Sequence, residues 1–306
     1  MLGHPTAAID AIHLWNGFYP AKFHLTQEIY ERSLCGLPTF RGDLSTAVYS
    51  HDQLVGFAIV KESGNELYGR AADHRFHLAG VAWRDPDQGA AMLRDVIDRV
   101  AEAGATRLSF GQDSGSAFPG VPVECIELSG VLKKLGFHAS EAVVDVEADL
   151  ADLELENFPD VRALLPDESH LLDEFLAREF PGRWRHDVML KANTDGAEHC
   201  VVGYFVENRL EGMALIQDSA QKLFICGAVW HLSLGEHWAA LGPIGVSESQ
   251  RGAGNGGRLL QGALAELKHR GGRRCRIDWT TLTEFYGKYG FTVSQTYETF
   301  DLALRR

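Results

Sequence analysis

The chain of 306 residues has few cysteines and fewer basic than acidic residues. Its five cysteines are scattered and no two stand in CxxC spacing, so we expect reduced, structural thiols in a cytoplasmic protein. The 29 basic residues are outnumbered by 42 acidic ones, and the net charge of −13 repels a polyanion on average. We therefore expect no nucleic-acid partner.

The sequence also lacks a long hydrophobic run. The most apolar uncharged stretch, 223–230 with an extension to 235, is too short to span a bilayer. Residues 1–10 have no basic region ahead of an apolar stretch, so we expect neither a signal peptide nor a membrane partner. No set of His, Cys, Asp and Glu residues has the spacing of a metal site, and no metal is expected.

The two halves of the chain repeat one order of predicted elements. In the second half, a strand at 239–246 leads through a glycine-rich turn to a helix with an apolar face and then to a strand at 274–279. In the first half, strands at 76–81 and 106–111 flank a similar helix, and a hairpin pattern precedes each unit. This order predicts an α/β (α+β) fold of two mixed-sheet domains with helices on both faces, at 1–150 and 151–306.

The most specific motif is the glycine-rich turn at residues 244–260, IGVSESQRGAGNGGRLL. It follows a strand and opens a helix, where unpaired N–H groups and the helix dipole favour an anion. Gly254 and Gly256 lack a Cβ, so a phosphate can approach the backbone, and Arg251 can add charge-assisted contacts. The turn has neither the Gly-Lys-Ser/Thr ending of a P-loop nor the GxGxxG dinucleotide pattern.

Arg251-x-x-Gly254-x-Gly256 resembles the RxxGxG/A pyrophosphate loop of the GNAT superfamily of acyl-CoA N-acyltransferases. The resemblance covers residues 200–306 well and includes the family's final segment, here FYGKYGF at 285–291. It implies that acetyl-CoA is a cosubstrate, with its pyrophosphate on the amides of residues 250–256 and its pantetheine arm along the strand at 244–246. The implied cofactor-binding residues are Ile244, Gly245, Val246, Gln250, Arg251, Gly252, Ala253, Gly254, Asn255 and Gly256.

The same resemblance indicates catalytic candidates. Tyr286 matches the family's tyrosine that protonates the leaving thiolate, and a phenol of pKa ~10 carries its proton at neutral pH. An attacking amine must be neutral, so a base is needed. Asp278 stands at the end of a strand beside the expected cleft, although its side chain could instead cap the following turn. Glu236 and His237, ahead of the cofactor strand, are the other candidates.

The first half has lost both parts of this chemistry. Alignment of the two helices places Asp87 at the position of Gly254, and Asp85 adds a second negative charge where a pyrophosphate would sit. The sequence Val131-Leu132 stands at the position of the proton donor. We therefore expect residues 1–150 to form a degenerate GNAT-like domain that neither binds acetyl-CoA nor catalyses.

Two further segments have open interpretations. The Gly/Pro-rich loop at 111–122 is expected to shape a surface. It also looks like a segment of tandem GNAT proteins, some of which are thought to act on amino sugars. The stretch 179–186, with Trp184 between Arg183 and Arg185, either lines an acceptor pocket or packs between the halves.

Two functions of different classes follow. The first is an acetyl-CoA-dependent N-acetyltransferase that acetylates the amine of a small molecule or peptide by direct attack on the thioester. The second is a non-catalytic acyl-CoA-binding or sensing protein whose N-terminal half binds a partner. The negative charge is compatible with a cationic amine such as an amino sugar, an aminoglycoside or a polyamine. The sequence does not encode the acyl chain, or whether the protein is a monomer or a homodimer.

Overall fold

The computed structural model of the chain describes residues 5–64, 67 and 74–304. The N-terminal stretch 1–10, for which no signal peptide is expected, therefore lies partly outside the described residues. The chain forms two compact units, one made of residues 1–143 and 295–306 and the other of residues 144–294.

The first unit contains a mixed sheet. Its strands, in spatial order, are β1 (Thr46–Ser50), β2 (Gln53–Ser63), β3 (Arg75–Trp83), β4 (Arg107–Phe110) and residues 295–303 of β12 (Thr292–Ala303), and the short β5 (Val121–Pro122) also pairs with β12. Strands β3 and β4 are parallel and the other neighbours are antiparallel. The helices are α1 (Pro5–Phe18), α2 (Gln27–Ile29, continued by the π-helical turn Tyr30–Cys35), α3 (Pro86–Glu102) and α4 (Ile126–Lys134), with a 3₁₀ turn at Ala21–Phe23.

The second unit repeats this plan. Its strands lie in the order β6, β11, β10, β9, β8 and β7, and only β10 and β11 are parallel. The strand bounds are β6 (His138–Asp149, from residue 144 in this unit), β7 (Val161–Ala163), β8 (Val201–Val206), β9 (Arg209–Asp218), β10 (Trp238–Val246) and β11 (Arg274–Thr280). The helices are α5 (Ser169–Glu179), α6 (Arg183–Asp195), α7 (Ala197–Cys200), α8 (Asn255–His269) and α9 (Thr283–Gly287), with 3₁₀ turns at Leu150–Asp152, Cys226–Ala228, His231–Leu234 and Glu248–Gln250.

In each unit, one strand lies outside the half of the sequence that supplies the other strands. In the first unit, the strand beside β4 is β12, which is the last strand of the chain. In the second unit, the strand beside β11 is β6, which precedes all the other strands of that unit. The mixed α/β fold is confirmed. The division into domains at 1–150 and 151–306 stays a prediction. The compact units differ from it, because residues 144–150 belong to the second unit and residues 295–306 to the first.

Helix α8 is held to its sheet by its apolar face. The side chains of Leu259, Leu260 and Leu264 are completely buried and pack with Ile216 of β9 and Leu241 of β10. Each such leucine contributes roughly 1.5–3 kcal/mol through burial. A built Cβ on Gly245 of β10 would meet the ring of Phe180, which lies between α5 and α6. The sheet of the second unit therefore has helices on both faces, as the sequence predicts.

Strand β10 carries a bulge that creates an opening in the sheet. Leu241 pairs with Ile216 of β9, but the next pair is Ile244 with Ala214, so Gly242 and Pro243 share the space of one residue. A bulge bends its strand and reverses the alternation of faces. On the other side of β10, the pairing with β11 covers only Trp238–Ala240. The two parallel strands thus stop pairing just before the bulge.

The loop at 111–122 is not a surface loop, which corrects the sequence expectation. Its Phe118 is buried and stacks on Trp15 with ring centroids 5.7 Å apart. Its Asp113 is also buried, with Oδ2 accepting a hydrogen bond from Lys61 Nζ at 2.6 Å. The loop is rich in glycine because the chain must turn tightly inside a core: a Cβ on Gly111, where φ is +62°, would collide with the carbonyl of Phe118.

All five cysteines are free thiols. Within residues 5–64, 67 and 74–304, no helix is long and apolar enough to cross a membrane. The same residues contain no group of three or more His, Cys, Asp and Glu side chains placed to hold a metal ion.

Candidate active site

A cavity of about 230 Å³ opens in the second unit where β10 and β11 stop pairing. Residues of both strands, of α6 and of the α9 region line it. They are Arg183, Trp184, Asp187, Cys226, Gly242, Pro243, Ile244, Ile277, Asp278, Trp279, Thr280, Thr281, Leu282 and Tyr286. Asp278, Tyr286 and Ile244, which the sequence predicts as site residues, are therefore brought together.

Asp278 lies near the end of β11, where its half-buried side chain borders the cavity. Burial raises the pKa of this carboxyl to about 6, and the nearby guanidinium of Arg183 and the N–H of Gly227 oppose the rise. Gly227 can approach closely because it has no side chain: a Cβ there would lie 3.3 Å from the Asp278 Cβ. A carboxyl of pKa about 6 is ionised at neutral pH and yet is basic enough to accept a proton.

Tyr286 lies on the short helix α9 and is buried against the edges of Phe285 and Phe291. Burial, and then the charge of Asp278, raises the pKa of its phenol to about 12. The phenol therefore keeps its proton at neutral pH. One cavity therefore holds a carboxyl with a pKa of about 6 and a phenol with a pKa of about 12. Such a pair is the pattern expected of a general base and a general acid.

The glycine-rich turn has the backbone that its sequence predicts. After β10 ends at Val246, Gly252 (φ +79°) and Gly254 (φ +82°) adopt left-handed conformations, and α8 begins at Asn255. Two of the predicted amides are engaged inside the turn: the N–H of Gln250 donates to the Ser247 carbonyl, and that of Arg251 to the Glu248 carbonyl. This corrects the expected amide set, which narrows to residues 252–256.

The face formed by residues 252–256 is open. Within the described residues, none of these five backbone N–H groups donates a hydrogen bond. A Cβ built on Gly252, Gly254 or Gly256 would meet no atom within 4 Å. Gly256 is helical and has no packing reason to lack a side chain. The amides, the open space and the exposed Arg251 beside them fit a phosphate group.

Side chains of the predicted cofactor-binding set hold the turn in shape. Asn255 Nδ2 donates to Gln250 Oε1 at 2.9 Å and to the Gln250 carbonyl at 3.2 Å. The Glu248 N–H donates to Glu179 Oε2 at 3.0 Å, which ties the turn to the end of α5. Gln250 and Asn255 thus have a clear structural role, whatever their backbone contacts to a ligand.

Alternate residues of β10 direct their backbone N–H and C=O groups toward the opening. The Ser247 N–H donates to the Glu211 carbonyl of β9 at 2.8 Å. Because backbone groups alternate in an antiparallel pair, Gly245 also points toward β9, whereas Ile244 and Val246 point the other way. Their backbone groups are available to an extended amide chain, and Gly245 instead makes room for Phe180.

The other candidates for the base lie elsewhere. Glu236 and His237 lie immediately before β10 and line a second cavity with Asp218 and Arg270, which does not include Tyr286. The ring of His231 packs on Trp238, at 4.8 Å between centroids.

Asp187 and Trp279 are among the cavity residues that sequence reasoning missed. Asp187 is buried and stands one helical turn after Arg183, so the helical period of α6 could have grouped them. Trp279 directly follows Asp278, and the Arg183 guanidinium lies 4.0 Å from its ring centroid. Arg183 and Trp184 both line the cavity, and their part in acceptor binding stays a prediction.

The corresponding turn of the first unit offers no open amides at the start of α3. Asp85 Oδ1 accepts the N–H groups of Asp87 and Gln88, each at 3.0 Å, and so occupies the position of an anion. A Cβ on Gly89 would collide with the ring of Trp83, so this glycine serves packing. The loss of the anion site thus depends on the Asp85 cap more directly than on Asp87.

Comparison with known proteins gives a family match for part of the second unit and a fold for the chain. Residues 168–291 match the sequence model of the acetyltransferase (GNAT) family. No curated protein sequence matches the chain. A GCN5-related glucosamine N-acetyltransferase region of a fungal multidomain GH3 β-N-acetylglucosaminidase has a TM-score of 0.86 and 17% identity over 99% of this chain, which spans 37% of that chain.

Two further solved structures match along nearly the whole length. A GCN5-related N-acetyltransferase from Sphaerobacter thermophilus has a TM-score of 0.65 and 17% identity over 98% of this chain and 92% of its own. A tandem GNAT protein from the clavulanic acid biosynthesis pathway has a TM-score of 0.64 and 13% identity over 98% and 94%. At these identities the likeness establishes the fold. The chain has a tandem GNAT fold, and its residues 168–291 carry the sequence pattern of the acetyltransferase (GNAT) family.

Proposed function

We propose that the protein is an acetyl-CoA-dependent N-acetyltransferase in which the second unit catalyses transfer to a small, cationic amine. GNAT proteins use acyl-CoA as cosubstrate and amines as acceptors. The observation that carries the proposal is the single cavity that holds Asp278, with a pKa of about 6, and Tyr286, with a pKa of about 12.

Residues 252–256 would hold the pyrophosphate through their backbone N–H groups, with Arg251 beside it. The edge of β10 at Ile244 and Val246 would hold the pantetheine amides as an added strand does. In this arrangement the thioester would lie at the cavity, which is supported by the position of Ile244 in the cavity lining.

Asp278 acts as the general base and Tyr286 as the general acid. The protonated acceptor first loses its extra proton to water, and Asp278 then accepts a proton from the neutral amine while the amine nitrogen bonds to the acyl carbon. As the carbon–sulfur bond breaks, the sulfur keeps the bonding electrons and takes the proton of Tyr286. Water then carries a proton from Asp278 to Tyr286, and both side chains regain their initial states.

The cavity walls favour a small acceptor. About 230 Å³ is below the roughly 300–1,000 Å³ of sites for drug-sized ligands. Among the lining residues, the carboxylates of Asp187 and Asp278 outnumber the single guanidinium of Arg183, which attracts a cation. Trp184 and Trp279 add flat apolar surface with a polar N–H edge, which suits a ring that carries hydroxyl groups. We therefore propose an amino sugar as the acceptor, and the glucosamine activity named for the fungal region of similar fold supports this choice.

The test is acetyl-CoA consumption with a panel of amines, combined with mass detection of the acetylated product. The panel contains glucosamine, galactosamine, a polyamine, an aminoglycoside, a peptide with a free N-terminus and cyclohexylamine, which has a ring and an amine without hydroxyls. We expect glucosamine or galactosamine to give the highest kcat/KM. Binding of acetyl-CoA without turnover on any amine would favour the acyl-CoA-sensing alternative. Equal turnover of cyclohexylamine would remove the amino-sugar assignment.

A further inference from the structure

Strand β6 brings a buried carboxylate opposite the candidate base. Val146 of β6 pairs with Ile277 of β11, and Val144 pairs with Thr280. Two residues of β11, Asp278 and Trp279, therefore stand opposite the single residue between Val144 and Val146. This two-against-one count is a β-bulge, a device that re-aims side chains next to active sites.

The residue opposite the bulge is Asp145, whose side chain is buried within the second unit. Its Oδ1 accepts a hydrogen bond from the backbone N–H of Trp279 at 3.2 Å. Trp279 has a φ of +47°, a left-handed conformation that a bulky side chain adopts only when its surroundings hold it there. The Asp145 carboxylate supplies the partner that the regular ladder cannot offer at the bulge.

Both side chains at the bulge depend on this backbone conformation. The Asp278 carboxylate enters the cavity beside Gly227, and the Trp279 ring lies under the Arg183 guanidinium. A relaxed Trp279 backbone would rotate the preceding peptide and so displace the Asp278 side chain. A misplacement of about 1 Å at a reacting group can cost ~10²-fold in rate.

We infer that Asp145 is a positioning residue that fixes the bulge at Asp278 and Trp279 and so holds the candidate base in place. The inference rests on the proposed function of this site. Strand β6 belongs to the first half of the sequence, and the inference means that this strand contributes the carboxylate that positions the base on β11.

The test compares Asp145→Ala, Asp145→Asn and Asp145→Thr with a control on the same strand. Alanine removes the acceptor, and threonine keeps a good strand former whose hydroxyl is too short to reach. Asparagine retains an oxygen that can accept the Trp279 N–H. The control is Asp149→Ala, which removes a carboxylate that accepts the Ala151 N–H and pairs with Arg273, away from the bulge.

We expect kcat to fall at least tenfold in Asp145→Ala and Asp145→Thr, with the KM for acetyl-CoA within twofold of wild type. Asp145→Asn should retain at least a third of the wild-type kcat, and Asp149→Ala should keep a normal kcat. A wild-type kcat in either Asp145→Ala or Asp145→Thr overturns the inference, and so does an equal loss in Asp149→Ala. Asp145→Thr provides the comparison if Asp145→Ala does not fold.

The proposed function can fail separately. If the wild-type protein acetylates no amine, that function is lost, and the positioning role is judged from the near-UV circular dichroism of Trp279, obtained by difference from Trp279→Phe. We then expect the Trp279 signal to change in Asp145→Thr and to persist in Asp145→Asn. An unchanged signal in Asp145→Thr would overturn the positioning role.

Discussion

The Asp278 carboxylate lies close enough to the Tyr286 phenol to raise the pKa of that phenol, in addition to the larger effect of burial. Burial is also the main reason that the pKa of Asp278 rises to about 6. One cavity thus contains a group that gains or loses a proton near neutral pH and a group that keeps its proton there. This pairing leads to the first two predictions.

The rate of acetyl transfer should depend on the ionisation of Asp278. With an acceptor whose amine stays neutral between about pH 5 and 8, we expect kcat/KM to rise with pH through a midpoint near 6, because only ionised Asp278 accepts a proton. Asp278→Asn should lower the rate by about 10²- to 10⁴-fold and remove the midpoint. A midpoint near 6 that persists in Asp278→Asn would identify another group as the base.

Removal of the Tyr286 hydroxyl should affect chemistry and leave binding intact. Tyr286→Phe keeps the buried ring and its contacts with Phe285 and Phe291, and we expect kcat to fall by about 10²-fold while the acetyl-CoA Kd stays the same. Turnover and calorimetric binding give the two quantities. Tyr289→Phe is the matched control, since Tyr289 packs against the same core without lining the cavity. Similar kcat values for the two variants would leave Tyr286 with a packing role alone.

Local chemistry explains which parts of this site the sequence could predict. The turn at 250–256 is predictable because Gly252 and Gly254 must take positive φ and the helix must begin beside them. Tyr286 follows from a local segment after the second parallel strand. The contact between Asp145 and Trp279 is not predictable in this way, because it depends on pairing between strands far apart in the chain.

The sequence also does not reveal that the polar loop at 111–122 is buried. The loop at 111–122 reads as a surface turn because glycine, proline, serine and aspartate are typical of exposed loops. In the structure, Lys61 neutralises Asp113, and Phe118 packs against Trp15. Trp15 belongs to helix α1, far from the loop in sequence, and no local pattern within the loop reveals it as the partner of Phe118. The place of β12 in the first unit and of the end of β6 in the second also depends on pairing between distant segments, which no local pattern reveals.

The absence of a side chain at Gly256 should matter to the ligand and not to the fold. We expect Gly256→Glu to weaken acetyl-CoA binding, because its carboxylate would occupy the open space over the amides of residues 252–256 and repel the pyrophosphate. The free energy of unfolding should stay constant or rise by up to about 1 kcal/mol, as glutamate favours a helix more than glycine does. Calorimetric titration and thermal unfolding measure the two effects.

Gly130→Glu in α4 is the control for Gly256→Glu, since Gly130 is also helical and a Cβ there meets no atom within 4 Å. It should leave acetyl-CoA binding unchanged. If Gly256→Glu binds as tightly as wild type, the pyrophosphate does not approach this turn.

The first unit should not provide a second binding site. Calorimetry should give one acetyl-CoA per chain, because Asp85 occupies the amides at the start of α3 and Trp83 fills the space beside Gly89. Asp85→Ala should lower stability by about 0.5–2 kcal/mol through loss of the helix cap. The stoichiometry should stay at one, since Trp83 still blocks the approach. Two sites in the wild-type protein would refute the degenerate character of the first unit.

The elevated pKa of Asp278 also predicts a cost in stability. The folded protein holds this proton up to a pH of about 6, whereas the unfolded chain releases it near 3.8. Between these values the folded state binds more protons, so stability falls as pH rises, by at most about 3 kcal/mol because the side chain borders an open cavity. Asp278→Asn removes the charge and should raise the melting temperature above pH 6, with little change below pH 4. Urea unfolding at pH 4 and pH 7.5 measures the difference between the variant and wild type. A variant that is equally stabilised at both pH values would show that ionisation of Asp278 is not the cause. The expected pH dependence would mean that the protein maintains a destabilising carboxylate at the site where a base is needed.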